Sequence, residues 1–349
     1  MKNLLGLDKV RHFQRVLRDS FHDLKIESGF YMVSFLKRFT AVLVHGGRAG
    51  WFGLLWKALG PLGRAAQGFY LENMPDPGPD FEWPRMLLIL GPPRSGSTFV
   101  YQMLSRAVPC MVLTNFHAVC PKTASAVLLK KDWLGNGMAD IRNFYGHTAA
   151  LQDTNEGTWL MKALFKGDPD SAELRRRFSR FLVGMRVPKG MPLVLKSLSV
   201  FDKAAELSRA VPELSFLRLK RDLRSMAASS YGAYRELGYF YPLPEGLCGV
   251  RVEDPLAYAV RQILGIEKRL DHEKEKIEAS KWHEGCYESL CENPRAEIER
   301  IAVSCLGVQA TALRWDRIQE ATAGSTKAKV TKTQLEKITA MIHEQRGSR

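Results

Sequence analysis

The stretch that decides the fold is RMLLIL (Arg85–Leu90), which runs straight into GPPRSGST (Gly91–Thr98) and then FVYQML (Phe99–Leu104). A continuous apolar run that ends at a glycine reads as a buried parallel strand. A glycine-rich turn from strand into helix aims successive backbone N–H groups inward. The helix N-terminus adds partial positive charge, so such a turn is an anion site. The nearest standard pattern is the nucleotide-binding G-x-x-x-x-G-K-[ST]. Here Ser97 stands where that pattern requires lysine, and the cation is Arg94, inside the loop. A kinase or ATPase places its loop lysine on the β- and γ-phosphates, so the departure counts against both. It suits a nucleotide with one phosphate in the cradle and a charged group to be transferred.

Outward from the loop, short β-like runs alternate with helical ones. PLVL (Pro192–Leu195) and LSFLRL (Leu214–Leu219) read as strands; Phe201–Val211, Ser225–Leu237 and Pro255–Ala279 read as helices. The pattern predicts an α/β fold, a parallel sheet with helices on both faces, over residues 85–332, with a C-terminal helix over 333–349. Asn73–Pro84 holds four prolines and a glycine in twelve residues and reads as a linker. Together with the chain before it, it makes residues 1–84 a helical basic extension.

Met1–Tyr70 carries eleven Lys/Arg against four Asp/Glu, half of the net charge of +14. That excess implies an anionic partner. An apolar stripe with Trp51 and Trp56 either packs on the main domain or lies on an anionic membrane. No uncharged apolar run reaches the roughly 18 residues of a membrane span, which predicts a cytoplasmic protein with at most peripheral membrane contact. Hydrophobic residues at 45% and charged residues at 25% exclude a disordered or fibrous chain. The six cysteines form no C-x-x-C pair, which suits a reducing compartment and argues against structural zinc.

PRSGSTFVYQML (Pro93–Leu104) resembles the 5′-phosphosulfate loop of sulfotransferases that use 3′-phosphoadenosine 5′-phosphosulfate (PAPS). That resemblance implies that Arg94, Ser95, Gly96, Ser97 and Thr98 cradle the donor. LSFLRLKRDLRSMAASSY (Leu214–Tyr231) is similar to the family's 3′-phosphate segment, with Arg221 at a strand end and Ser229 eight residues on. An arginine fork and a hydroxyl two helical turns later can converge on one anion. CYESLCENPRAEIERIAVSCLGV (Cys286–Val308) resembles the family's Tyr-Glu-x-Leu strand and following helix. Tyr287 would then lie near the adenine, or else pack as a strand tyrosine. GSTKAKVTK (Gly324–Lys332) is similar to a late loop that closes over the nucleotide, and implies Ser325 near the 3′-phosphate.

The resemblance implies in-line sulfuryl transfer from PAPS to a hydroxyl or amine, which needs cations on the leaving phosphate and a base on the acceptor. Arg94 is the first cation; Lys196, ending the strand PLVLK, matches the family's catalytic lysine. The base position falls on His117 in LTNFHAVCP (Leu113–Pro121), with Glu156 in QDTNEGTWL (Gln152–Leu160) as the alternative. No H-E-x-x-H or Asp-rich cluster suggests a metal. The acceptor is a small molecule, a lipid or a carbohydrate, and no nucleic acid is expected. The rival readings are a P-loop kinase and an inactive basic binding protein on the same fold.

Overall fold

A computed structural model of the chain describes residues 74–119, 152–237, 240, 254–318 and 330–347. The basic extension over 1–70 and Ser325 lie outside the described residues. Five strands, β1 (Met86–Leu90), β2 (Met111–Val112), β3 (Leu193–Lys196), β4 (Leu214–Lys220) and β5 (Trp282–Cys286), form one parallel sheet in the order β2-β3-β1-β4-β5. The helices are α1 (Ser97–Ala107), α2 (Asn115–Val119), α3 (Thr158–Leu164), α4 (Ser171–Met185), α5 (Ala204–Ala210), α6 (Leu223–Leu237), α7 (Pro255–Lys274), α8 (Tyr287–Glu292), α9 (Pro294–Leu306) and α10 (Lys332–Gly347).

Burial on both faces explains why the strands read as continuous apolar runs. Met86, Leu88 and Leu90 point to one face and pack with Phe178 and Leu182 of α4, Leu207 of α5 and Ile266 of α7. Leu87 and Ile89 point to the other, against Val100 and Leu104 of α1 and Ile298 and Ile301 of α9. Every residue of β1 is at most 1% exposed, and each such side chain contributes about 1.5–3 kcal/mol of burial. A third cluster joins Met226 of α6, Val260 and Ile263 of α7, and Ile338 and Ile342 of α10.

β1 lies at the centre, paired with β3 on one side and β4 on the other. The chain leaves β1 for one half of the sheet and returns to build the other. Such a switch point opens a crevice at the carboxyl ends of the strands, where open α/β sheets bind ligands. The Gly91–Thr98 turn, Lys196 and Arg221 all stand at that edge.

The expected linker is irregular but packed. Trp83 stacks on Phe178 with centroids 6.4 Å apart, and the Arg175 guanidinium covers the Trp83 ring at 4.1 Å. One expectation shifts: Tyr287 is not in a strand. The strand is Trp282–Cys286 (WHEGC), and Tyr287 opens α8 directly after it. β5 is the edge strand next to β4, with no further strand beside it among the described residues, and His283 and Glu284 are half-exposed. A strand of that composition leaves no apolar run to read. No helix among the described residues is long and apolar enough to cross a membrane.

Candidate active site

The turn after β1 is strained. Arg94 adopts φ 71°, in the left-handed region that costs a non-glycine residue free energy. Gly96 follows at φ 91°, ψ 7°, and α1 starts with no side chain capping its first amides. The conformation is held by long-range contacts. Arg94 Nε donates to Ser229 Oγ on α6 at 2.9 Å, and Arg221 Nη1 donates to the Arg94 carbonyl at 2.9 Å. The Arg221 guanidinium lies 4.2 Å over the Tyr287 ring. That ring in turn sits against Gly96, where a Cβ would come within 2.2 Å of Tyr287 Cδ2. The fold therefore brings Arg94, Gly96, Arg221, Ser229 and Tyr287 together, although 127 residues separate Arg94 from Arg221.

Two polar atoms of this cradle have no hydrogen-bond partner: the Oγ of Ser95, which is fully buried, and Arg221 Nε. A buried donor left unmade costs about 1–3 kcal/mol, and both groups suit a phosphate oxygen. The residues present thus fit a nucleotide phosphate.

A second cluster adjoins the first. Lys196, the last residue of β3, is 1% exposed. Its ammonium donates to Thr98 Oγ1 on α1 at 3.0 Å and pairs with the Glu156 carboxylate. Burial pushes the Lys196 pKa down, the Glu156 charge opposes this, and nearby Arg94 adds to the lowering. Lys196 therefore joins the start of α1 to an acid that is itself 25% exposed. Ser97 is buried at the start of α1.

His117 is placed differently. Its Nδ1 accepts the Thr114 backbone N–H at 3.1 Å, while the His117 N–H reaches back to Thr114 Oγ1 at 3.4 Å. This reciprocal pair is a capping box at the start of α2, with histidine where Glu or Gln is usual. A backbone N–H can only donate, so Nδ1 carries the lone pair, and that lone pair is committed to the cap. The ring is fully buried, and burial pushes its pKa down to about 3.

The sequence names Glu156 as the alternative base but does not show what brings its segment to Lys196. Thr114 bridges antiparallel to Thr154, Asn155 N–H donates to the Leu113 carbonyl at 2.8 Å, and Asn115 N–H donates to the Asp153 carbonyl at 2.9 Å. Those bonds bring Gln152–Gly157 to the carboxyl end of β2, beside β3 and Lys196. Tyr101 of α1 is a residue that the sequence does not single out. Its buried hydroxyl accepts from Leu113 N–H at 2.9 Å and lies 3.3 Å from the Val194 carbonyl, so it ties the loop helix to β2 and β3.

Among the described residues, no group of three or more His, Cys, Asp and Glu side chains could hold a metal ion. A cavity of about 740 Å³, lined by Trp83, Arg85, Met191 and Leu306 among others, lies where the chain enters β1 and β3. That is the opposite edge of the sheet from the loop, a full strand length away.

A family model described as "Sulfotransferase family" matches residues 85–311. No curated protein matches the chain significantly. Among solved structures, sulfotransferase STF9 from Mycobacterium avium superposes with a TM-score of 0.53 at 16% identity, covering 100% of this chain and 98% of that one. Sulfotransferase STF1 from Mycobacterium tuberculosis H37Rv gives 0.52 at 12% identity, covering 99% and 100%. At these identities the two structures speak for the fold.

Proposed function

The chain belongs to the sulfotransferase family, and from that premise we propose that it transfers a sulfuryl group from PAPS to a hydroxyl or amine acceptor by in-line displacement. The observation that carries this reading is Lys196, whose buried ammonium touches both Thr98 of the phosphate loop and Glu156. One cation thereby stands between a donor cradle and a carboxylate able to take a proton.

The roles follow from the contacts. The donor supplies the sulfuryl group and a phosphate that gains charge as it leaves. The backbone of Arg94–Gly96, the hydroxyls of Ser95, Ser97 and Thr98, and the N-terminus of α1 hold the 5′-phosphosulfate. Arg221 and Ser229 hold the 3′-phosphate, and Tyr287 borders the adenine side. Lys196, with Arg94, meets the charge that builds on the leaving oxygen, the kind of preorganised stabilisation that favours the transition state over the ground state. Glu156 accepts the acceptor's proton. His117 is a poor base because its lone pair serves the α2 cap. The acceptor is a hydroxylated small molecule, lipid or carbohydrate.

Ligand-induced thermal shifts test the donor assignment, because a ligand bound only by the native state raises the Tm. Adenosine 3′,5′-bisphosphate should raise it strongly. ATP, which lacks the 3′-phosphate, should raise it far less. Equal shifts would replace the proposal with phosphoryl transfer. Failure of [³⁵S]PAPS to label any component of a cell extract would leave only binding.

A further inference from the structure

Glu156 is useful as a base only if it is held where Lys196 and Thr98 are. The residue before it makes more directed contacts than a loop position needs. Asn155 Nδ2 donates to Asn115 Oδ1 at 3.0 Å, and Asn155 Oδ1 accepts the Gly157 N–H at 2.9 Å. The second contact fixes the first: a backbone N–H can meet only the carboxamide oxygen, so the nitrogen must face Asn115. With its main-chain bond to Leu113, Asn155 is anchored through both side-chain atoms and its backbone N–H. The residues on either side of Glu156 are therefore both pinned, and Gly157, at φ 66°, turns the chain into α3.

The anchor also leads back to the donor loop. Leu113, whose carbonyl takes the Asn155 N–H, gives its own N–H to the Tyr101 hydroxyl on α1, and Thr98 lies one turn earlier on that helix. Two hydrogen bonds thus connect the helix that carries the phosphate loop to the residue preceding Glu156.

We propose that Asn155 is a positioning residue for sulfuryl transfer, its carboxamide locking the Glu156 carboxylate against Lys196 by tying the Glu156 segment to Asn115 and to the first turn of α3. This rests on the reading of Glu156 as the base. Asn155 itself touches neither donor nor acceptor in this scheme; it acts through Glu156.

The test is steady-state kinetics of Asn155→Ala, alone and combined with Glu156→Gln. Misplacement of a reacting group by about 1 Å costs about 10²-fold. Asn155→Ala should therefore lower kcat by about that factor, with the donor KM and the bisphosphate thermal shift unchanged. Combined with Glu156→Gln it should cost nothing more, since the group it positions is gone. Asn115→Ala removes the same bond from the other side and should reproduce part of the loss, which decides the matter if Asn155→Ala does not fold. Wild-type kcat in both asparagine variants, or an equal further loss in the Glu156→Gln background, would overturn the proposal. Full activity of Glu156→Gln would instead overturn the base assignment itself.

Discussion

Gly96→Ala offers a direct measurement of how the phosphate loop is built. The substitution carries two costs. At φ 91°, ψ 7° an alanine occupies left-handed space, which costs an L-residue about 1–2 kcal/mol. The new Cβ would also lie 2.2 Å from Tyr287 Cδ2 and 2.5 Å from Cε2, where carbon atoms prefer about 3.5–4.0 Å. The ring would have to move by more than an ångström. It is held by the Arg221 guanidinium at 4.2 Å and by the edge-on Phe99 ring at 6.3 Å, so it cannot simply swing aside. Overpacking of this kind costs about 1–3 kcal/mol.

The sum is about 2–5 kcal/mol, using those two ranges. Whatever part the empty protein relieves by opening the loop must be repaid when the nucleotide closes it, and appears as lost affinity. The remainder appears as a lower Tm. If all of it falls on binding, the Kd for adenosine 3′,5′-bisphosphate rises by about 30- to 4,000-fold, at 1.4 kcal/mol per tenfold. Titration calorimetry and thermal melts of Gly96→Ala read the two parts. In a Tyr287→Ala background, Gly96→Ala should cost only the backbone part. Wild-type affinity and Tm together in Gly96→Ala would refute the described packing of the loop.

Arg221→Ala should raise the donor KM strongly with a smaller effect on kcat, while Lys196→Ala should mainly lower kcat, because its charge matters most as the leaving phosphate gains charge; identical signatures in initial-rate kinetics would dissolve that division of roles. His117→Gln should keep wild-type kcat, since glutamine is a usual partner in a capping box; a loss of 10²-fold or more in the same assay would return the base role to His117. The histidine also makes stability depend on pH. Its folded pKa, about 3, lies below the ordinary 6.5, so the unfolded chain binds the extra proton. Its contribution is whole above pH 6.5 and lost as pH falls toward 3, by up to about 1.4 kcal/mol per unit. Urea titrations across that window should show a shallower acid loss in His117→Gln than in wild type.

The strand, loop and first helix were legible because each follows from local pattern: a run buried on both faces, a glycine turn, an amphipathic start. Lys196 and Arg221 were legible because a strand's end is readable from its apolar run. β5 was not, since an edge strand with half-exposed His283 and Glu284 has no apolar signature. The Glu156–Lys196 pair was not either. It joins residues 40 apart, and only the return of the chain to the end of β2 makes them neighbours. His117 is the instructive case. Distance along the chain from Arg94 placed it near the chemistry, yet Thr114-x-x-His117 is itself a capping pattern, and that local reading names the contact the ring makes.

The net charge of +14 implies an anionic partner and says nothing about where it would bind. The ion pairs supply the location. Most buried or half-buried arginines along the sheet and α4 are answered by acids: Arg175 by Glu213, Arg177 by Glu173, Arg180 by Asp76, and the buried Arg218 by Glu267 and Asp271. An arginine so matched has its field cancelled nearby. Arg221 is arranged otherwise. Its described contacts are a carbonyl and a ring face, with no carboxylate among the described residues, and its Nε has no partner at all. A guanidinium that fold contacts orient but do not neutralise keeps both its charge and a donor for a ligand. Lys196 differs again, because its charge is answered by an acid that the proposed reaction employs. Under the proposed function, Arg221 is where the donor would be held, and Lys196, buried and paired with Glu156, is where the group would be passed on.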